Sequence, residues 1–372
     1  VTPPFSLTRA ITAPRFEPLY ALLRQAIAEG AMPGCAFGAL AGGKRVLLDA
    51  LGHFTPETKS HEVAPSSIFD VASITKVAMT TAAAMLLFER GKLDLEAEIG
   101  AILPQFVANR PPTDPARAIR FKHLLAHNSG LPGYVEFFRT ATTRQQVIES
   151  CLRLDLEAPV GERACYSDPG FILLGLALDE LLGEPLEHFA EREIYAPLAM
   201  HSCLFRPPEI LRDMIVPTEI DINFRRRMIQ GEVQDENASA LGGVAGHAGL
   251  FATVGDLLNF SAEILSARAG RGVLFSAETI HCFAERQPPA GSSRALGWDT
   301  PSAPSSSGQY FSSQSVGHLG FSGCSLWIDL EAGISIVLLT NRTWPDRKEE
   351  KIRTVRPAFH DLLRQILAHP AA

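Results

Sequence analysis

The stretch Phe69–Gly91, FDVASITKVAMTTAAAMLLFERG, decides how the rest of the chain is read. It places Ser73 three residues before Lys76, at the mouth of a run from Val77 to Phe88 that carries no charge. Side chains at i and i+3 of a helix share a face. A helix with no charge over such a length is predicted to be buried on most sides. A buried ammonium is unfavourable unless it is paired, so Lys76 needs a reason to be there. One reason is chemical: a lysine beside a serine can help remove the hydroxyl proton and make the oxygen a nucleophile. The helix N-terminus adds N–H donors and a positive dipole end, which suit an oxyanion. Serine is also a common helix N-cap, so the pair alone leaves both readings open.

Working outward, the 372 residues are enough for one large domain or two lobes with a substantial core. An apolar content of 46% argues against a disordered chain, and no apolar run is long enough to span a bilayer. The net charge of −7 with no basic stripe argues against nucleic acid as a partner. Of the 34 basic residues only seven are lysines, and Lys76 alone has a serine three residues before it. The six cysteines (35, 151, 165, 203, 282, 324) form no C-x-x-C pair or zinc spacing and are expected to be buried free thiols. That usage favours a reducing, cytoplasmic setting; a periplasmic or secreted one stays open if a leader was removed before Val1.

Residues 1–14 read as an irregular lead-in. Phe16–Glu29 is an amphipathic helix, followed by strands Pro33–Ala41 and Lys44–Leu51 around Gly42–Gly43. Further helices are expected at 123–130, Thr143–Leu154, Pro169–Leu182, Leu186–Tyr195, Val254–Leu265, Ser276–Glu285 and Val355–Leu367. Residues 205–240 look less regular, and Ser302–Gly308 is predicted to be a mobile Ser/Pro loop. Tyr310–His318, Ser322–Leu330 and Ile334–Asn341 read as an antiparallel meander. Strands thus gather at both ends and helices fill the middle. The expected fold is α/β (α+β): an antiparallel sheet flanked by helices in a lobe of 1–72 plus 250–372, with a mostly helical lobe 73–249 inserted, all in one domain 1–372. A cleft between the lobes is the expected site.

Two further motifs decide between the readings of Ser73. Tyr166-Ser167-Asp168 precedes the helix at 169–182, and His318-Leu319-Gly320 ends a strand. With Ser73–Lys76 they give S-x-x-K, Y-x-D and H-x-G in that order. The chain resembles the serine β-lactamase-like hydrolases: class C β-lactamases, DD-peptidases and related esterases. LLAHNSGLPGY and SLWIDLEAGISIVLLTNR strengthen the resemblance, which runs over about residues 16–365. It implies a β-lactamase/transpeptidase-like fold and an acyl-enzyme mechanism without metal or other cofactor. Ser73 would be the nucleophile, with Lys76 and Tyr166 sharing the base role. The N–H groups of Ser73 and Phe321 would form the oxyanion hole, and Asp168, His318 and Gly320 would face substrate.

Two departures matter. Asp168 stands where class C enzymes carry asparagine; a carboxylate there favours the ammonium form of Lys76 and shifts the base role to Tyr166, a phenol expected to ionise readily beside the lysine. His318 replaces a fixed lysine charge with a mostly neutral group, so recognition of a substrate carboxylate should weaken. Esters and small amides or peptides are therefore expected ahead of β-lactams. The alternatives are a penicillin-binding DD-carboxypeptidase or β-lactamase, and a non-catalytic scaffold that kept the fold.

Blander readings stand beside these. Tyr166 and His318 could be structural, and Asp168 could cap the helix that follows it. His123 and His127, at i and i+4, lack the glutamate of H-E-x-x-H and make a poor metal site. GGVAGHAG (242–249) lacks the lysine of a phosphate loop and is expected to be close-packed backbone near the cleft, with QDENA (234–238) beside it. Trp327 is expected in the core.

Overall fold

Five antiparallel strands taken from the two ends of the chain form the central sheet: β1 (Gly34–Ala41), β2 (Lys44–Gly52), β3 (Ser315–Leu319), β4 (Ser325–Asp329) and β5 (Ile334–Thr340), in the order β2-β1-β5-β4-β3. The structure is a computed structural model that describes residues 14–57 and 59–368; most of the N-terminal lead-in expected from the sequence (1–13) lies outside the described residues. The two chain ends are joined by β1 against β5, from Cys35 opposite Thr340 to Ala41 opposite Ile334.

The sequence GCAFGALA of β1 explains its central place. Successive side chains of a strand point to opposite faces, and both faces here are apolar. Cys35, Phe37 and Ala39 join a core with α1 (Glu17–Ala28) and the C-terminal helix Ile352–Ala368. Ala36 and Leu40 face the other way, toward the larger core that includes helix Val254–Arg268. Gly38 lies on that face, where a methyl group would come within 2.8 Å of Leu258 and 2.9 Å of Val254. The helix can therefore approach the sheet closely only over a glycine.

The larger core continues into the helices of the middle of the chain. The segment after Ser73 forms its axis. Ala72–Glu89 is the one stretch among the described residues long and apolar enough to cross a membrane, but 83% of it is buried inside the fold. It is not the single regular helix expected. A 3₁₀ turn (Ala72–Ile74) leads into π-helical turns (Lys76–Thr81), and only Ala82–Glu89 is α-helical. Wide turns of this kind cluster at functional sites.

Other expectations need correction. The helix expected at 123–130 spans Phe121–Leu125 and stops before His127, whose φ of +56° lies in the left-handed region. His123 caps its own helix by accepting the Arg120 N–H at Nδ1, and no group of three potential metal ligands exists among the described residues. The strand expected from Tyr310 begins only at Ser315, because Ser312 turns in to bond the Asp329 carboxylate through its N–H and hydroxyl. The Ser/Pro loop is anchored: His360 Nδ1 lies 3.1 Å from the Ser306 carbonyl, and Asp361 accepts the Gln309 N–H. Residues 205–240 contain a two-stranded ribbon, Glu219–Asp221 with Arg227–Ile229. Trp327 is fully buried, as expected, and all six cysteines are free.

Candidate active site

The three motifs meet at one end of the sheet. Ser73 follows Ala72, a non-glycine residue at φ +49°. Such a conformation costs about 1–2 kcal/mol for an L-residue and persists only where its surroundings hold it. Asp70 holds it: one oxygen accepts the Ala72 N–H at 2.8 Å and the other the Gln234 N–H at 2.6 Å. Burial raises the Asp70 pKa to about 6, against the pull of those two N–H bonds. From the opposite side, Ser322 donates to the Asp70 carbonyl at 2.9 Å. A methyl group at Gly320 would lie 2.6 Å from the Val71 carbonyl, so only glycine lets the H-x-G turn come this close to the nucleophile.

Lys76 is fully buried. Its Nζ donates to Asp168 Oδ1 at 2.7 Å, to Ser73 Oγ at 3.1 Å and to the His247 carbonyl at 3.2 Å. Three donors on three acceptors describe an ammonium, with no lone pair to spare. Burial works to lower the Lys76 pKa, but Asp168 and Tyr166 outweigh it and hold the group above its ordinary value. Ser167, not Asp168, caps the helix Asp168–Leu182, accepting the Gly170 N–H at 3.0 Å. The capping role considered for Asp168 therefore falls to its neighbour, and Asp168 is free to pair with Lys76.

Tyr166 stands beside both Lys76 and Ser73. Its pKa is raised, contrary to the expectation of an easily ionised phenol: burial dominates, Asp168 adds to it, and Lys76 offsets only part. The ring is held between two imidazoles, with centroids 4.7 Å away for His127 and 5.8 Å for His318. His127 also accepts the Ser167 N–H at 3.0 Å through Nδ1, so it fixes the backbone beside the tyrosine as well as its ring. Lys76 Nζ and Arg294 Cζ lie 4.7 and 5.2 Å from the ring centroid.

His318 is buried, and its Nδ1 lies 2.8 Å from the Leu319 carbonyl. A carbonyl only accepts, so Nδ1 carries the proton and Nε2 presents a lone pair with no protein partner. Burial, then Lys76 and Arg294, push its pKa well below the ordinary value. A neutral imidazole cannot bind a carboxylate, and Nε2 is closed off from solvent, so His318 contributes to the wall of the cleft and not a charge. The next residue after the motif, Phe321, is half exposed on the cleft wall, and its backbone N–H has no partner among the described residues.

The site opens on a cleft of about 720 Å³, large enough for a small-molecule substrate. Ser73, Tyr166, Asp168, His318, Gly320 and Phe321 line it, while Lys76 lies behind them. The sequence reading missed several neighbours. Arg294 enters from an irregular segment with no motif. His127 was seen only as half of a poor metal pair. QDENA, by contrast, does line the cleft as considered: Asp235 is on its wall and binds His247 Nε2 at 2.8 Å, which fixes the loop whose carbonyl receives Lys76. The close packing expected of GGVAGHAG is there: a methyl group at Gly246 would lie 2.1 Å from the Phe171 carbonyl.

Comparison with known proteins gives the family and the fold. The Beta-lactamase family model matches residues 19–358. The chain is 31% identical over 306 residues to an N-acetylmuramyl-L-alanine amidase of Bacillus subtilis (strain 168), covering 74% of this chain and 68% of that one. It is 30% identical over 305 residues to a protein of Escherichia coli (strain K12) provisionally named D-alanyl-D-alanine carboxypeptidase, covering 74% and 69%. Among solved structures, the octameric penicillin-binding protein homologue from Pyrococcus abyssi superposes with a TM-score of 0.73 at 21% identity, over 93% of this chain and 77% of that one. EstCE1, a hydrolase with promiscuous acyltransferase activity, gives 0.73 at 22% identity, over 92% and 98%.

Proposed function

Because this chain belongs to the β-lactamase family, we propose that it is a serine hydrolase that works through an acyl-enzyme on carboxylic esters and small amides or peptides. One observation carries the reading: Ser73 Oγ accepts from the buried Lys76 ammonium at 3.1 Å, and Tyr166 stands beside that pair on the cleft wall.

The protonation states favour Tyr166 over Lys76 as the proton carrier. Lys76 is saturated and charged, and Tyr166 rests neutral. A neutral phenol can still serve if it moves two protons in concert. As Ser73 Oγ attacks the carbonyl carbon, its proton passes to the Tyr166 oxygen. The phenol's own proton passes to the departing oxygen or nitrogen. Bond order and charge balance, and no free phenolate forms. Water then enters along the same route and releases the acyl group. The Lys76 ammonium stabilises negative charge that builds on Oγ and the phenol, and the N–H groups of Ser73 and Phe321 take the oxyanion. Asp168 keeps Lys76 charged throughout.

A D-peptide reading draws on Arg294. It stands beside Tyr166 and His318 with only a 3.8 Å contact to Asp299, so it can receive the terminal carboxylate that neutral His318 cannot. Both named relatives fit peptide or amide substrates. The test combines fluorophosphonate labelling of wild type and Ser73→Ala with a panel of p-nitrophenyl esters, nitrocefin and a D-alanyl-D-alanine peptide. Serine-dependent labelling with ester turnover above nitrocefin turnover is expected. No label and no turnover would leave only the scaffold reading.

A further inference from the structure

Acyl transfer leaves a second group of charges in the same cleft unused. Beyond Phe321 the wall carries Arg342, Arg347, Lys348, Arg353 and Arg356. Three have carboxylates: Arg347 is bound by Glu219 and Glu236, Lys348 by Asp346 at 3.0 Å, and Arg353 by Glu350 at 2.8 Å. Arg342 and Arg356 have none among the described residues, although they are only 8% and 7% exposed. Arg342 is fixed by backbone: Nε donates to the Phe321 carbonyl at 2.9 Å, and Nη1 to those of Arg347 and Glu349 at 2.8 Å each.

Arg356 is less well served. Its one hydrogen bond among the described residues is Nη1 to the Cys324 carbonyl at 3.5 Å, and that carbonyl already accepts the Gly320 N–H at 2.8 Å. The guanidinium thus sits against the turn that presents Phe321. Its Nε and Nη2 have no partner among the described residues and are not sealed by them, and Arg356 borders the cleft. Burial, with added repulsion from Arg342 and Arg353, brings its pKa down to about 10. A buried guanidinium with no counter-charge is unfavourable, and a planar fork of donors is the usual receptor for an oxyanion.

We propose that Arg342, Arg353 and Arg356 form an anion subsite at the end of the catalytic cleft, which takes an oxyanion such as a phosphomonoester carried by the substrate. Neither Arg342 nor Arg356 has a carboxylate among the described residues, and the fork of donors left open on Arg356 suits a phosphate oxygen pair. The assignment to substrate rests on the serine-hydrolase reading; anion binding itself does not.

The test has a binding arm and a kinetic arm. Thermal unfolding of the whole protein is followed with inorganic phosphate against sodium chloride at equal ionic strength. Phosphate is expected to raise the Tm, and Arg353→Gln and Arg356→Met each to weaken its affinity about tenfold or more. Arg353 is on the exposed rim, so its variant serves if Arg356→Met fails to fold. No phosphate-specific shift in the wild type overturns the subsite, whatever the enzyme activity. In the kinetic arm, p-nitrophenyl esters of phosphonoalkanoic acids of graded length are compared with uncharged acyl esters. A KM lower by about tenfold for one length, lost in Arg353→Gln, is expected. A phosphate shift without that preference overturns the assignment to substrate and marks a site for free phosphate. An intact shift with no Ser73-dependent turnover sinks the hydrolase reading alone.

Discussion

Replacing Asp168 by asparagine tests the central electrostatic claim. The side chain of Lys76 is fully buried and that of Asp168 is 15% exposed, at 2.7 Å. Removing one partner of a buried pair costs about 3–5 kcal/mol, because the other charge is left without compensation. With an unfolding entropy of about 2.1 cal/mol/K per residue, 372 residues give about 0.8 kcal/mol/K, so the Tm should fall by about 4–6 °C. The loss must depend on pH. In the wild type the Lys76 pKa lies above its ordinary value of 10.5, so the pair's contribution is fully present below that value and lost only as pH rises through the folded-state value. In Asp168→Asn burial still acts on Lys76 without Asp168 to offset it, so the folded state sheds the proton more readily than the unfolded chain. Stability of the variant should then rise with pH where the wild type is flat, and the two should converge on the alkaline side. Calorimetry between pH 6 and pH 10 reads both curves. A Tm difference that stays constant across that range, or no difference at pH 6, refutes the charged-lysine assignment. The reading also expects kcat/KM of the variant to fall over the range where its stability rises, since the charge supporting Tyr166 is then lost. A gain instead would make neutral Lys76 the base.

Three other substitutions probe the same group. Tyr166→Phe should lower kcat for a p-nitrophenyl ester by about 10²–10⁴ with the protein still folded, as expected for loss of a general acid–base; a loss below tenfold removes Tyr166 from the proton path. Gly246→Ala places a methyl group against the Phe171 and Gly175 backbones and should destabilise by about 1–3 kcal/mol in urea unfolding. The adjacent His247 carbonyl holds Lys76, so kcat should drop in the same variant, and wild-type stability would show the packing to be looser than described. Arg294→Gln should raise KM for a D-alanyl-D-alanine peptide about tenfold while sparing KM for a neutral ester, and an equal effect on both would assign Arg294 a structural part.

Much of the fold was legible because its signals are local. The apolar runs GCAFGALA and Ile334–Thr340 and the Gly42–Gly43 turn are each legible without reference to the rest of the chain. Errors arose where a distant partner overrides local preference. Nothing near Tyr310 announces that Ser312 will bond Asp329, so the strand was started too early. Nothing in AHNSG requires His127 to leave the helix, since its backbone is shaped by the Ser167 N–H it receives from 40 residues away. The π-helical turns after Ser73 were equally hidden. Thr80 donates to the Gly246 carbonyl and Lys76 to that of His247, and these contacts to a loop more than 160 residues on accompany the wide turns.

The site divides along the same line. Ser73, Lys76, Tyr166 and His318 were named from the sequence because each lies in a short motif of fixed order. Their protonation states were not, because these depend on burial and on the sum of several neighbours. Asp168 was expected to keep Lys76 charged, and a charged lysine was expected to make Tyr166 acidic. The first follows from one contact at 2.7 Å. The second fails because the same carboxylate also faces the phenol, and burial acts on the phenol with the same sign. A carboxylate that holds the lysine charged thereby keeps the tyrosine neutral. With asparagine at that position the hold on the lysine charge would go, while burial would still keep the tyrosine neutral. The Asp168 substitution is thus not a conservative change of a polar neighbour: it decides whether the lysine beside a neutral tyrosine is an ammonium or a free amine.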